Sequence, residues 1–144
     1  MFDAIRELEK APVHFVIAGP IGVKVPPEIR TSPHVIFTGP VDSATCRRLY
    51  TAADVFILPT LSDGFALTQL EAQAFGLPLV VSRNCGRVVR HRENGLLLEQ
   101  PTAACITEAL LQLAAAPAEV ADFAENSKVD ERFSLTALAA NLPR

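Results

Sequence analysis

Apolar residues come in short runs separated by helical spacings from one end of the chain to the other. Residues 13–18, VHFVIA, are rich in β-formers and run into Gly19 and Pro20, and residues 35–38, VIFT, do the same ahead of Gly39 and Pro40. A third run, residues 54–58, stops at Pro59, a fourth covers residues 79–82 and a fifth residues 95–98. Each reads as a strand. Between them the spacing changes to three and four. Residues 1–10 place Phe2, Ile5 and Leu8 on one face, and Asp42 or Ser43 caps a helix through about Ala52, with Leu49 and Tyr50 to one side. Residues 66–75 put Leu67, Leu70 and Ala74 on a common face before Gly76 ends the helix. Thr102 caps a helix with Ile106, Leu110 and Leu113 turned inward, Pro117 opens another, and Ser134 caps a last one through Leu138. Residues 24–32, with Pro26 and Pro27, read as one long irregular connection.

Several of the strands are apolar on both faces, the pattern of a parallel sheet covered by helices on either side. The expected fold is therefore α/β, a doubly wound, Rossmann-like, mostly parallel sheet of about five strands with helices on both faces. Ligands of such sheets sit beyond the carboxyl ends of the strands. That directs attention to the loops after Ala18, Thr38, Leu58 and Ser82.

Composition narrows the classes. A chain of 144 residues that is 49% hydrophobic and 20% charged suits one globular domain with a real core. A net charge of -3 gives no basic field for nucleic acid. The apolar runs are too short to cross a bilayer, so no transmembrane segment is expected. No positively charged and then apolar leader opens the chain, and Cys46, Cys85 and Cys105 lack metal-ligand spacing. Together these point to a reducing, cytoplasmic setting. His14, His34 and His91 are scattered, so no metal site is expected, and His14, inside an apolar run, reads as a core residue.

The densest chemistry lies in residues 59–72, PTLSDGFALTQLEA, which pass from a strand end through a glycine-containing loop into a helix start. Backbone N–H groups left unpaired there could meet an anion. Asp63 and Glu71, eight positions apart, each offer two acceptor oxygens, a match for paired sugar hydroxyls. The bland reading makes Asp63 a turn residue and Glu71 a solvated one. Arg83, Arg87, Arg90 and Arg92 gather 4 of the chain's 13 cationic residues into one stretch, either facing phosphate or forming a solvated loop. Cys85 nearby is a reactive or a packed thiol.

These residues, in this order, resemble a family. Residues 16–19, 35–39 and 49–59, the two acids Asp63 and Glu71 with seven residues between them, residues 74–80 and 93–97, and the late Arg132, Phe133 and Ser134 are similar to the carboxyl-terminal, donor-binding domain of the retaining family 4 (group 1) glycosyltransferases of GT-B fold. The resemblance covers residues 13–141. It implies transfer of a hexosyl group from a nucleotide-diphosphate sugar, a UDP-, GDP- or ADP-sugar, without a metal or other cofactor. It places the donor's ribose hydroxyls on Glu71 and the transferred sugar near Asp63, where the family usually carries glutamate. It places the backbone N–H groups of Gly64, Phe65, Ala66 and Leu67 against the diphosphate or sugar, with Ala66 where glycine is common. Gly39, Pro40 and Val41 match the loop that lies against the nucleobase.

The resemblance also implies parts beyond these residues. The family has an amino-terminal acceptor domain and an opening strand whose loop carries cations for the diphosphate. That strand would lie between the strands at residues 13–18 and 54–58. Its place is expected to be closed by direct pairing of those two strands, or filled by something else such as a second copy of the chain in a homodimer. A rival reading is a non-catalytic nucleotide-binding or protein-interaction module of the same fold. A sugar-nucleotide epimerase is a further rival, but its histidine-bearing signature is not in the sequence.

Overall fold

The computed structural model describes residues 1–134 and 137. Its elements run α1 (Phe2–Glu7), β1 (Phe15–Ala18), α2 (Pro27–Arg30), β2 (Val35–Gly39), α3 (Ser43–Ala52), β3 (Phe56–Leu58), α4 (Thr68–Ala74), β4 (Leu79–Ser82), β5 (Gly95–Leu98), α5 (Ala103–Ala115) and α6 (Pro117–Asn126), then a 3-10 turn, Glu131–Phe133. The helix starts follow local chemistry. Asp42 Oδ1 accepts from the Thr45 N–H at 2.7 Å, and Thr102 Oγ1 accepts from the Cys105 N–H at 3.3 Å, so both caps use a short oxygen-bearing side chain. The Thr45 N–H holds the Asp42 carboxyl below its usual range. Pro27 and Pro117 open α2 and α6, where a missing N–H costs nothing.

Among the described residues all strand pairing is parallel, in two sheets. β1 pairs with β2, Phe15 opposite Val35 and Ile17 opposite Phe37. β3, β4 and β5 form the other, with Leu79 of β4 opposite both Phe56 and Gly95. β4 is buried along its whole length. Its alternation feeds two cores. Val80 joins Ile5, Leu8, Phe15, Leu96, Ile106 and Phe123 on the side of α1, α5 and α6, and Leu79 and Val81 join Ala72, Leu77 and Val88 on the side of α4. Both sheets share the first core, because Ile17 and Phe37 of one and Ile57 of the other pack against it.

Five parallel strands flanked by helices match the expected α/β class. The differences lie in how they are divided. β1 and β3 do not pair, so direct closure of the gap between them, one of the expected alternatives, does not occur. The Phe15 N–H bonds to His34 O on the β2 side. Alternate residues of a parallel strand use opposite edges, so the Val16 backbone faces the gap. Among the described residues, helices cover the β1–β2 sheet on one face only: Val16 and Ile36, opposite one another, are 51% and 59% exposed. α3 contributes no buried residue. Among the described residues no strand pairs with β1 on the gap side, and α3 leaves Val16 and Ile36 largely uncovered.

Three expectations need correction. Residues 24–32 contain a helix, α2, because Pro27 suits its first turn and Ile29 is drawn into the core. α4 begins at Thr68 rather than at residue 66, and its buried face is Gln69, Ala72 and Gln73, whereas Leu67 is 68% exposed. Ala66 has φ +56°, outside the right-handed region, which delays the helix and rotates the inward face. His14 is exposed and lies beside His34, ring centroids 4.8 Å apart, rather than in the core. The helix expected from Ser134 to Leu138 falls largely outside the described residues, although Ser134 Oγ does accept from the Ala137 N–H at 3.1 Å.

Candidate functional site

β3 and β4 are neighbouring parallel strands, so the loops leaving their carboxyl ends, after Leu58 and Ser82, emerge side by side. A seam of hydrogen bonds joins them. Ser82 Oγ donates to Thr60 O at 2.6 Å, Asn84 Nδ2 donates to the same carbonyl at 3.3 Å, and the Asp63 N–H donates to Asn84 O at 2.9 Å. Beneath them Gln69, fully buried, donates from Nε2 to Phe65 O at 2.9 Å and to Cys85 O. Gly86, at φ +69°, lies so close that a Cβ there would stand 3.0 Å from the Phe65 ring and 3.1 Å from its carbonyl. Phe133 packs on Phe65 with ring centroids 5.3 Å apart, and Arg132 covers Phe133 while donating to Arg87 O at 2.7 Å.

The structure brings Asp63, Gly64, Phe65, Ala66, Leu67 and Glu71 together at the start of α4, and it gives the first acid an internal task. Asp63 Oδ1 accepts from the Phe65 N–H at 3.2 Å and the Ala66 N–H at 2.9 Å. Two of the amides expected to be open are therefore satisfied by the loop's own carboxylate. Asp suits this role because its short side chain returns to the backbone two and three residues on. Glu71, on the first turn of α4, is exposed, and its Oε2 accepts from the Tyr50 hydroxyl at 3.0 Å. Burial first, and the Glu71 carboxylate second, push the Tyr50 phenol well above its ordinary range.

Gly39 ends β2 at φ +65°, its carbonyl accepting from the Gly19 N–H at 2.9 Å, and Pro40 and Val41 follow. This loop belongs to the other sheet, and no hydrogen bond among the described residues links it to residues 63–71. The arginine stretch behaves as a solvated loop where ion pairs engage it: Arg83 meets Glu99 at 2.6 Å and Arg90 meets Glu93 at 2.7 Å, all four exposed. Cys85 is a packed thiol, its Sγ donating to Ser82 O at 3.2 Å, and burial raises its pKa. Among the described residues no three His, Cys, Asp or Glu side chains are placed to hold a metal ion, and no single helix is long and apolar enough to cross a membrane. The sequence reading missed the seam residues Thr60, Ser82, Asn84 and Gln69. A polar run after each strand end was the available signal, but partners 16 to 24 positions apart are fixed only by adjacent strands.

Known proteins resemble this chain in sequence and in fold. The family model described as "Glycosyl transferases group 1" matches residues 1–116. D-inositol 3-phosphate glycosyltransferase 2 of Catenulispora acidiphila is 36% identical over 109 residues, 74% of this chain and 26% of its own length. The chain thus spans about a quarter of that curated relative. Among solved structures, the C-terminal domain of a glycosyl transferase group 1 family protein from Francisella tularensis aligns with TM-score 0.71 at 23% identity, over 88% of this chain and 72% of that one. Anabaena Alr3699/HepE, solved with UDP and glucose, aligns with TM-score 0.75 at 19% identity, over 97% of this chain and 44% of that one. With two acids at the head of α4, parallel strands leading into it and a family match over most of its residues, the chain belongs to the group 1 glycosyltransferases.

Proposed function

We propose that this domain binds the nucleoside diphosphate of a hexosyl donor, a UDP-, GDP- or ADP-sugar, at the loop 63–67 and the first turn of α4, for transfer to an acceptor. The observation that carries the reading is Glu71, an exposed carboxylate held by Tyr50 at the mouth of the β3 and β4 loops. Glu71 receives the ribose hydroxyls, Asp63 lies near the transferred sugar, and Gly39, Pro40 and Val41 border the base. In this reading Asp63 both closes the loop and faces the sugar, and the remaining amides of residues 64–67 meet the diphosphate. No metal or other cofactor takes part. The acceptor is supplied by a domain outside these residues or by a second copy of the chain, in the cytoplasm.

Titration with UDP, GDP and ADP, followed by amide NMR, tests this. At least one nucleotide should shift the amides of Gly39, Val41 and residues 63–71, with a Kd on the order of 0.1–1 mM and no change on adding EDTA. Unshifted amides at millimolar nucleotide would overturn the reading. Turnover is a separate outcome. Stabilising a leaving diphosphate takes preorganised positive charge and exclusion of water between closing surfaces. The purified 144-residue chain should therefore bind donor without hydrolysing or transferring it, as measured by release of nucleotide from labelled donor. Steady release by this chain would show that these residues suffice for the chemistry.

A further inference from the structure

Tyr50 lies on α3, 21 positions before Glu71, and its ring is fixed from two sides. Phe75 stacks on it with centroids 5.3 Å apart and planes 19° from parallel, and Phe56 meets it at 6.2 Å. The hydroxyl at the end of this wedged ring donates to one carboxylate oxygen, Glu71 Oε2, at 3.0 Å. Among the described residues no donor reaches the other oxygen, Oε1, and the side chain stands exposed. A free glutamate would sample several rotamers. Here one oxygen is tied to a rigid aromatic stack, which leaves the second in a fixed position for an outside pair of hydroxyls.

We propose that Tyr50 is the positioning residue for Glu71, setting the carboxylate that recognises the ribose of the bound nucleotide. This rests on the donor-binding reading above. The bland alternative is that the contact merely fastens α3, which has no buried residue of its own, to α4. The two differ in what the hydroxyl does to ligand choice: a fastening role weakens every nucleotide alike, whereas a positioning role concerns the ribose alone.

The experiment measures Kd by calorimetry for UDP, GDP and ADP and for their 2′,3′-dideoxy counterparts, on the wild-type chain, Tyr50→Phe and Glu71→Gln. Phenylalanine keeps the stack and removes one oxygen. The expected result is that the wild type prefers the ribonucleotide, and that Tyr50→Phe loses about tenfold in affinity for it, the equivalent of one charge-assisted hydrogen bond, while its dideoxy affinity is unchanged. Equal losses for both ligands, or an unchanged preference, would overturn the positioning role and leave donor binding standing. A wild type that binds none of the six would overturn donor binding and this inference with it. A second readout needs no ligand. Tyr50 is the chain's single tyrosine, so ultraviolet titration reports its hydroxyl alone. Glu71→Gln removes the negative charge that favours the neutral phenol and should move the titration to lower pH. An unmoved curve would show that the contact is not made in solution.

Discussion

Replacing Gly95 by alanine should destabilise this domain by about 4 kcal/mol or more. Gly95 opens β5 opposite Leu79 at φ +155°, where a Cβ would stand 2.0 Å from the Leu79 carbonyl oxygen and 2.8 Å from its nitrogen. Neither atom can yield, because both are backbone of β4, buried on both faces. The strands must therefore part at their first pair, just where β4 feeds both cores. An overpacked side chain that only displaces other side chains costs about 1–3 kcal/mol, and a backbone clash with added φ strain should exceed that, at about 4 kcal/mol or more. Against a total stability of about 5–15 kcal/mol, that is a large share of the whole. Thermal unfolding of the variant should show a melting temperature lowered by more than about 10 °C, or no transition. Gly64→Ala supplies the control, since nothing lies within 4 Å of its Cβ position and its φ is not in the left-handed region. A Gly95→Ala protein as stable as that control would show that β4 and β5 are not in this register.

The strands were legible because β4 and β5 are apolar on both faces and bounded by glycine and proline, which only a covered parallel sheet explains. Their division into two sheets was not. Periodicity marks which residues are strands and says nothing of which edges meet, and the exposure of Val16 and Ile36 follows from edges, not from pattern. α4 misled for a local reason. Leu67, Leu70 and Ala74 have helical spacing, but Ala66 takes a left-handed conformation and Gln69 turns inward to satisfy two carbonyls, so hydrogen bonding displaced hydrophobicity in choosing the buried face.

At the site, the two acids and the glycine between strand end and helix stand out in the sequence because few local arrangements need all three. The use the chain makes of Asp63 does not, since only geometry shows its carboxylate returning to the amides of Phe65 and Ala66. Tyr50 was equally silent, an aromatic on a helix that could have packed anywhere. Its bond to Glu71 exists because Phe75 and Phe56 hold the ring against α4.

Gln69→Leu should be the most damaging change near the site that leaves its charged groups intact. Leucine matches the volume and keeps the buried position filled, but it cannot donate, so the carbonyls of Phe65 and Cys85 lose their shared partner. Leaving buried acceptors unsatisfied costs about 1–3 kcal/mol each, partly offset because the orphaned Gln69 Oε1 is removed as well. A net loss of about 2 kcal/mol should appear in the denaturant midpoint with the slope unchanged. The loss should also be local. Gln69 holds the seam between the two loops, so the Asp63 N–H, bonded across it to Asn84 O, should exchange with solvent at least tenfold faster. The Leu97 N–H of β5, which bonds to His91 Nδ1, should quicken only as far as the global stability falls. Nucleotide affinity should fall in parallel with the opening of the seam, because the loop that carries Asp63 and Phe65 no longer has one conformation. Uniform acceleration at both amides would mean that Gln69 supports the core and has no special hold on the loop.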